Sequence, residues 1–107
     1  MITRVWHGWT TPENAPVYEN PLLTEIFEGI RSRKIAGFLG ISLCKRDAGA
    51  EIEFMTIMWF ESIAAVRQFA GEDYERAVVP PKAQAVLAHY DQRSTHYQTP
   101  VPPPFAG

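Results

Sequence analysis

The chain has 107 residues, one cysteine, ten Lys and Arg against twelve Asp and Glu, and a formal net charge of −2. One compact domain is the default at this length. A single cysteine excludes an internal disulfide framework and a CxxC metal site, and the near-neutral balance argues against a nucleic-acid binder, whose footprint would be a strongly basic face.

Met1 to Thr10 reads as a strand, with Val5, Trp6 and Trp9 favouring it and Thr10-Thr11-Pro12 ending it. Alternation puts Thr3, Val5, His7 and Trp9 on one face and Ile2, Arg4, Trp6 and Gly8 on the other. Both faces carry aromatic bulk, as a central strand covered on both sides would. From Thr11-Pro12 to about Arg33 the spacing of Tyr18, Leu22, Leu23, Ile26, Phe27 and Ile30 is helical. Glu13, Glu19, Glu25 and Glu28 fall on its solvated side, and Pro16 and Pro21 predict a kink or a late start. Phe38 to Arg46 is a second strand, Asp47 to Ala50 a hairpin connection, and Glu51 to Phe60 a third strand, the most apolar stretch of the chain. Ser62 caps a short helix that Gly71 ends. Pro80-Pro81 begins another short helix, and His89 to Gln98 is a fourth strand.

The order β-α-β-β-α-β predicts an α+β, ferredoxin-like domain over residues 1–98, with a four-stranded antiparallel sheet whose first and third strands are central. Residues 99–107, with Pro100, Pro102, Pro103 and Pro104, form a stiff extended tail. Helices cover one sheet face. The other, carrying Trp6, Met55, Ile57 and Trp59, needs a second cover, most simply a second copy, so a homodimer is expected. No run of about 18 apolar residues is present to span a membrane. MITRVWHGWT lacks the basic and apolar regions of a signal peptide, so the default location is cytoplasmic.

Little in the sequence carries chemistry outright. His7, His89 and His96 make no metal-binding spacing, and the separation of seven puts His89 and His96 on opposite faces of one strand. No metal is expected. Cys44 reads as a buried small residue. The informative constellation is aromatic. Val5, His7 and Trp9 on strand one and Phe54, Thr56, Met58 and Phe60 on strand three would line a concavity under the helices, joined by Tyr18, Leu22 and Phe27 from the first helix and Val66 and Phe69 from the second. Such a pocket suits a small apolar or aromatic molecule. His7 and Thr56 are its polar handles, with His7 the candidate for proton transfer. Trp9 and Phe60 would stack on a planar ligand, and Tyr74 would gate the mouth or anchor its loop. Arg67 and Arg76 either steer an anionic group or meet solvent.

The strand order together with the run MTIMWFESIAAVRQFAGEDYERAVVPPKAQAVLAHYDQRSTHY, Met55 to Tyr97, resembles the antibiotic biosynthesis monooxygenase domain. The resemblance implies a dimeric α/β barrel, two sheets packed face to face, with a pocket between each sheet and its own helices. It implies a monooxygenase that oxidises a polyketide- or quinol-like substrate with dioxygen and no cofactor. In anthrone-oxidising members an asparagine and a tryptophan line the pocket where this chain has Thr56 and Phe60. In heme-degrading members an asparagine, that tryptophan and a histidine occupy the positions of His7, Phe60 and Ala70. A non-catalytic small-molecule-binding or stress-associated module on the same scaffold is the alternative, and heme binding a third reading.

Overall fold

Residues 1–104 are described by a computed structural model; the last three positions of the expected tail lie outside the described residues. Five strands, β1 (Ile2–Thr10), β2 (Phe38–Asp47), β3 (Ile52–Phe60), β4 (His89–Tyr90) and β5 (Thr95–Gln98), form one antiparallel sheet in the order β2-β3-β1-β4, with β5 also on β1. The fold is α+β and ferredoxin-like, with β1 and β3 central as their two-sided apolar pattern requires. The sheet is open rather than closed on itself.

The expected fourth strand is split in two. Gly8 pairs with Tyr90 and Val5 with Thr95, so Asp91 to Ser94 bulge out opposite Trp6 and His7. The bulge is held from both sides. Asp91 accepts from the backbone N–H of His7 at 3.1 Å, and the Ser94 N–H donates to the Glu75 carbonyl at 2.6 Å. The pairing shifts by an even number of residues, so side-chain parity survives. His89 lies opposite Trp9 and His96 opposite Arg4, on different faces.

The first helical region starts late and changes pitch. Thr11 accepts from the Asn14 N–H in an opening turn, and α1 runs Ala15–Pro21 with Pro16 in its first turn, where a missing N–H is harmless. Pro21, inside the helix, cannot donate to the preceding turn. A π-helical segment, Leu22–Ile26, follows before α2 (Phe27–Ser32). α3 (Ile63–Ala70) has the expected Ser62 cap, which accepts from the Ala65 N–H at 3.3 Å, and stops at Gly71, φ +92°. α4 (Pro81–Val86) completes the cover. At Gly37, φ +85°, an added Cβ would stand 2.8 Å from the Ala65 Cβ; only glycine lets the entry to β2 pass this close to α3.

Register assigns the faces. Residues directly opposite on antiparallel strands share a face, and β1 pairs with β3 as Arg4↔Met58, Trp6↔Thr56 and Gly8↔Phe54. Ile2, Arg4, Trp6, Gly8 and Thr10 therefore lie on the helix side, and Thr3, Val5, His7 and Trp9 on the opposite, open face. This corrects two expectations. His7 and Trp9 do not face the helices, and the open face carries Val5, His7 and Trp9 with Met55, Ile57 and Trp59 in place of Trp6. Cys44, expected to be buried, is exposed; it lies opposite Met55 on the edge strand β2.

The helix side holds two apolar clusters. Ile2, Met58, Phe60, Ala65, Val66 and Phe69 form the first, and Tyr18, Leu22, Phe27, Phe54 and Ala83 the second.

Candidate functional site

At the seam between these clusters the helices leave a cavity. Its volume is ≈ 60 Å³. Arg4, Trp6, Thr56 and Met58 project from the sheet into its floor, Tyr18 and Phe27 come from α1 and α2, and Phe69 from α3. Leu22 and Ile26 bring the π-helical segment into the wall. Such irregular turns recur where a helix is shaped around a site. Val78, Val79 and Pro80 close the remaining side from the loop before α4.

The structure thus brings Tyr18, Phe27, Thr56, Met58 and Phe69 together around one space. Phe60 and Val66, expected to line it, are fully buried in the first cluster and do not. Phe60 packs on Phe38 and Phe69 instead. Tyr74 sits beside the site, with its ring edge-on to His96 at 5.2 Å and under the Arg67 guanidinium at 5.5 Å. His7 and Trp9 are on the other face of the sheet. His7 Nδ1 lies 3.0 Å from Asp91, and Trp9 is stacked between the His7 ring at 6.0 Å and the His89 ring at 4.5 Å. His89 pairs with Glu51 at 2.9 Å. No group of three His, Cys, Asp or Glu converges to hold a metal among the described residues.

Of the lining residues that were not among the expected ones, Arg4, Trp6 and Ser94 carry hydrogen-bonding side chains and the rest are apolar. Trp6 has a readable signal. Its indole lies over Gly8, two positions on and on the same face, where an added Cβ would come within 2.9 Å of the ring. An indole packed over a strand glycine is a recurring device of sheets, and in the sequence it shows only as the spacing Trp6-His7-Gly8. Its Nε1 donates to the Asp91 carbonyl at 2.7 Å, which ties the bulge to the floor.

Two crystal structures share this architecture. An antibiotic biosynthesis monooxygenase candidate from Bacillus cereus aligns over 95% of this chain and 95% of its own, with a TM-score of 0.61 and 15% identity. A second antibiotic biosynthesis monooxygenase aligns over 95% of this chain and 100% of its own, with a TM-score of 0.58 and 19% identity. This is the antibiotic biosynthesis monooxygenase fold. No family model matches the sequence, and no curated protein matches it. At these identities the likeness to the monooxygenases is one of backbone, and the chemistry of the cavity follows from this chain's own side chains.

Those side chains are polarised toward donating hydrogen bonds. Burial pushes the Tyr18 phenol up to about 12, so it keeps its proton and donates. Burial pushes Arg4 down to about 10, which leaves it charged at neutral pH. Arg4 Nη1 donates to the Tyr74 carbonyl and lies 3.0 Å from His96 Nε2, and Nη2 donates to the Arg76 carbonyl at 3.1 Å. Among the described residues that line the cavity there is no carboxylate and no imidazole.

His96 is held below the usual histidine range, first by burial and then by the charge of Arg4, against a smaller opposing pull from Glu75. The unfolded chain therefore binds the proton more readily, and stability rises with pH across this titration. The contribution is complete above the ordinary histidine value near about 6.5 and is lost as pH falls through the lowered one. Thermal unfolding followed from pH 7.5 to 5 should show this loss, and H96Q, which keeps an acceptor for Arg4, should flatten it. An unchanged slope in H96Q would assign the acid sensitivity to other groups.

No described helix is long and apolar enough to cross a membrane.

Proposed function

We propose that this chain is a homodimeric monooxygenase that oxidises a small apolar aromatic substrate, of quinol or polyketide type, in the cavity between its sheet and its helices. The observation that carries the reading is the cavity itself: a mostly hydrocarbon space with a few donors, at the sheet–helix seam of a monooxygenase fold. The reaction class needs no external reductant. On a substrate with an activated methylene, that carbon gives a proton to water, the carbanion adds dioxygen, the peroxide anion takes a proton back from water, and the hydroperoxide loses water. One methylene and one dioxygen thus give one ketone and one water, with one oxygen atom in each product. With no carboxylate or imidazole in the lining among the described residues to take the proton, the acidity must reside in the substrate. The protein's part is then to desolvate it and to stabilise the oxyanion through the Tyr18 and Thr56 hydroxyls and Arg4. We assign His7, hydrogen-bonded to Asp91 across the sheet, to the dimer face rather than to proton transfer.

The same missing base favours a second reading, a binding module without turnover. A heme fits neither the size of the cavity nor its side chains, since Ala70 offers iron no ligand.

Oxygen uptake with a single-ring quinol or a single-ring substrate carrying an activated methylene separates the two. T56W fills the floor and should lower turnover at least about tenfold, a barrier change of about 1.4 kcal/mol, while H7A should leave turnover essentially intact. Ligand-induced stabilisation without oxygen uptake would establish the binding module. Loss of turnover in folded H7A would restore His7 to the chemistry.

A further inference from the structure

Arg4 is the most costly group in the fold to bury. It is 3% exposed, charged, and part of the cavity floor. Ion pairs are formed by Arg31, Lys45, Arg46, Lys82 and Arg93 among the described residues, and none by Arg4. Its protein partners are two backbone carbonyls and a neutral imidazole, with the Phe69 ring 5.4 Å from the guanidinium carbon. Glu75, whose charge reaches this corner through His96, is paired with Arg93 at 3.3 Å. Buried charges are ordinarily matched by an opposite charge, because carbonyl dipoles and an aromatic face repay only part of the desolvation.

The guanidinium is also incompletely used. It presents five N–H groups in a fixed fork. Two interactions fall on Nη1 and one on Nη2; no acceptor among the described residues meets Nε or the second Nη2 hydrogen. Nε and Nη2 form the side edge of the fork, the edge that matches the two oxygens of a carboxylate. A residue whose task was only to hold the Tyr74 and Arg76 carbonyls would need donors but no charge.

We propose that the cavity is an anion site, with Arg4 the recognition group for a carboxylate on a small, single-ring ligand whose hydrocarbon part lies against Thr56, Met58 and Phe69. The inference rests on the cavity being the ligand site, and it narrows the substrate class from neutral aromatics to aromatic acids. The size sets an upper bound: a space of ≈ 60 Å³ admits no more than one ring, and that one only as the lining side chains move, since a cavity that holds benzene measures about 150 Å³.

Titration with benzoate and with benzyl alcohol, of similar shape and no charge, tests this. Binding is followed calorimetrically and by the methyl resonances of methionine. Met58 lines the cavity and Met55 lies on the opposite sheet face, so the two methyls locate the ligand. Benzoate should bind at least tenfold more tightly than benzyl alcohol and shift Met58 but not Met55. R4M should abolish that preference while keeping the affinity for benzyl alcohol, and R4K, which restores charge without the fork, should recover part of it. Should R4M fail to fold, the comparison of the two probes on the unaltered chain decides alone. Equal affinities with a shifted Met58 would overturn the anion site and leave the cavity as the ligand site. Binding of neither probe, or binding that leaves Met58 unmoved, would overturn both.

Discussion

Phe60→Ala is expected to destabilise the fold by about 3–5 kcal/mol, the range for removing a fully buried aromatic side chain. Phe60 is 0% exposed at the end of β3, opposite Ile2 of β1 and Phe38 of β2. Its ring meets Phe38 edge-on at 5.6 Å and Phe69 of α3 at 5.9 Å, so it joins the edge strand, the sheet centre and a helix at one point. The void has little means of collapsing, because ladder hydrogen bonds on both sides hold β3 in place. With total stabilities of about 5–15 kcal/mol for domains generally, such a loss brings the chain close to unfolding at ambient temperature. Denaturant midpoints would measure it, and F60L, which refills most of the volume, should recover the larger part. A loss below about 1 kcal/mol would be that of a site able to collapse and would show that the ring is not a packing element. The expected role of Phe60 as a stacking platform for a ligand gives way to this one because full burial leaves no ring face to offer.

The difference between platform and packing shows which parts of the molecule the sequence made legible. Helix faces and caps were readable because their signals are local. Tyr18, Leu22 and Phe27 repeat with the helical period, and Ser62 and Gly71 bracket α3 by hydrogen bonding and φ alone. The β3 grouping was readable because the strand period sets Phe54, Thr56, Met58 and Phe60 on one face, although Met55, Ile57 and Trp59 between them are as apolar. The β1 face was not, since Trp6 and Trp9 give both sides equal bulk and the decision lies in register with a strand about fifty residues away. That register takes His7 and Trp9 out of the cavity and brings Arg4 and Trp6 into it. Arg4 was obscured further because an arginine on a strand reads as solvent-facing. It is buried only because the loop after α3 brings the Tyr74 and Arg76 carbonyls over it, and no local pattern encodes that path. The split of β4 from β5 was partly visible in the polar run Asp91 to Ser94, but its cause, the docking of Asp91 on His7 and Trp6, is again tertiary.

Ile57→Glu is expected to convert the homodimer proposed above into a folded monomer. Ile57 stands near the middle of the open face, between Val5 on β1 and Ser42 on β2, with Met55 and Trp59 two residues to either side on its own strand. In the single chain these side chains are half-buried rather than solvated. They make an apolar surface on a sheet whose other face is already covered by helices. A two-fold interface would use the same patch on both copies, so one substitution acts twice. Each carboxylate would enter an apolar contact with no cation opposite it, and an unpaired buried charge costs several kcal/mol even after relaxation. Two such charges should weaken association by more than about 100-fold, since each 1.4 kcal/mol is a factor of ten. Sedimentation at micromolar concentration should give the unaltered chain at twice its 12.1 kDa and I57E at that mass, with far-ultraviolet circular dichroism unchanged because the helix-side core is untouched. Trp9 and Trp59 emission should move to the red in the monomer, whereas Trp6, on the covered side, reports the fold and should not change. A monomeric unaltered chain would remove the second sheet from the architecture; the sheet–helix cavity, built within one copy, would stand.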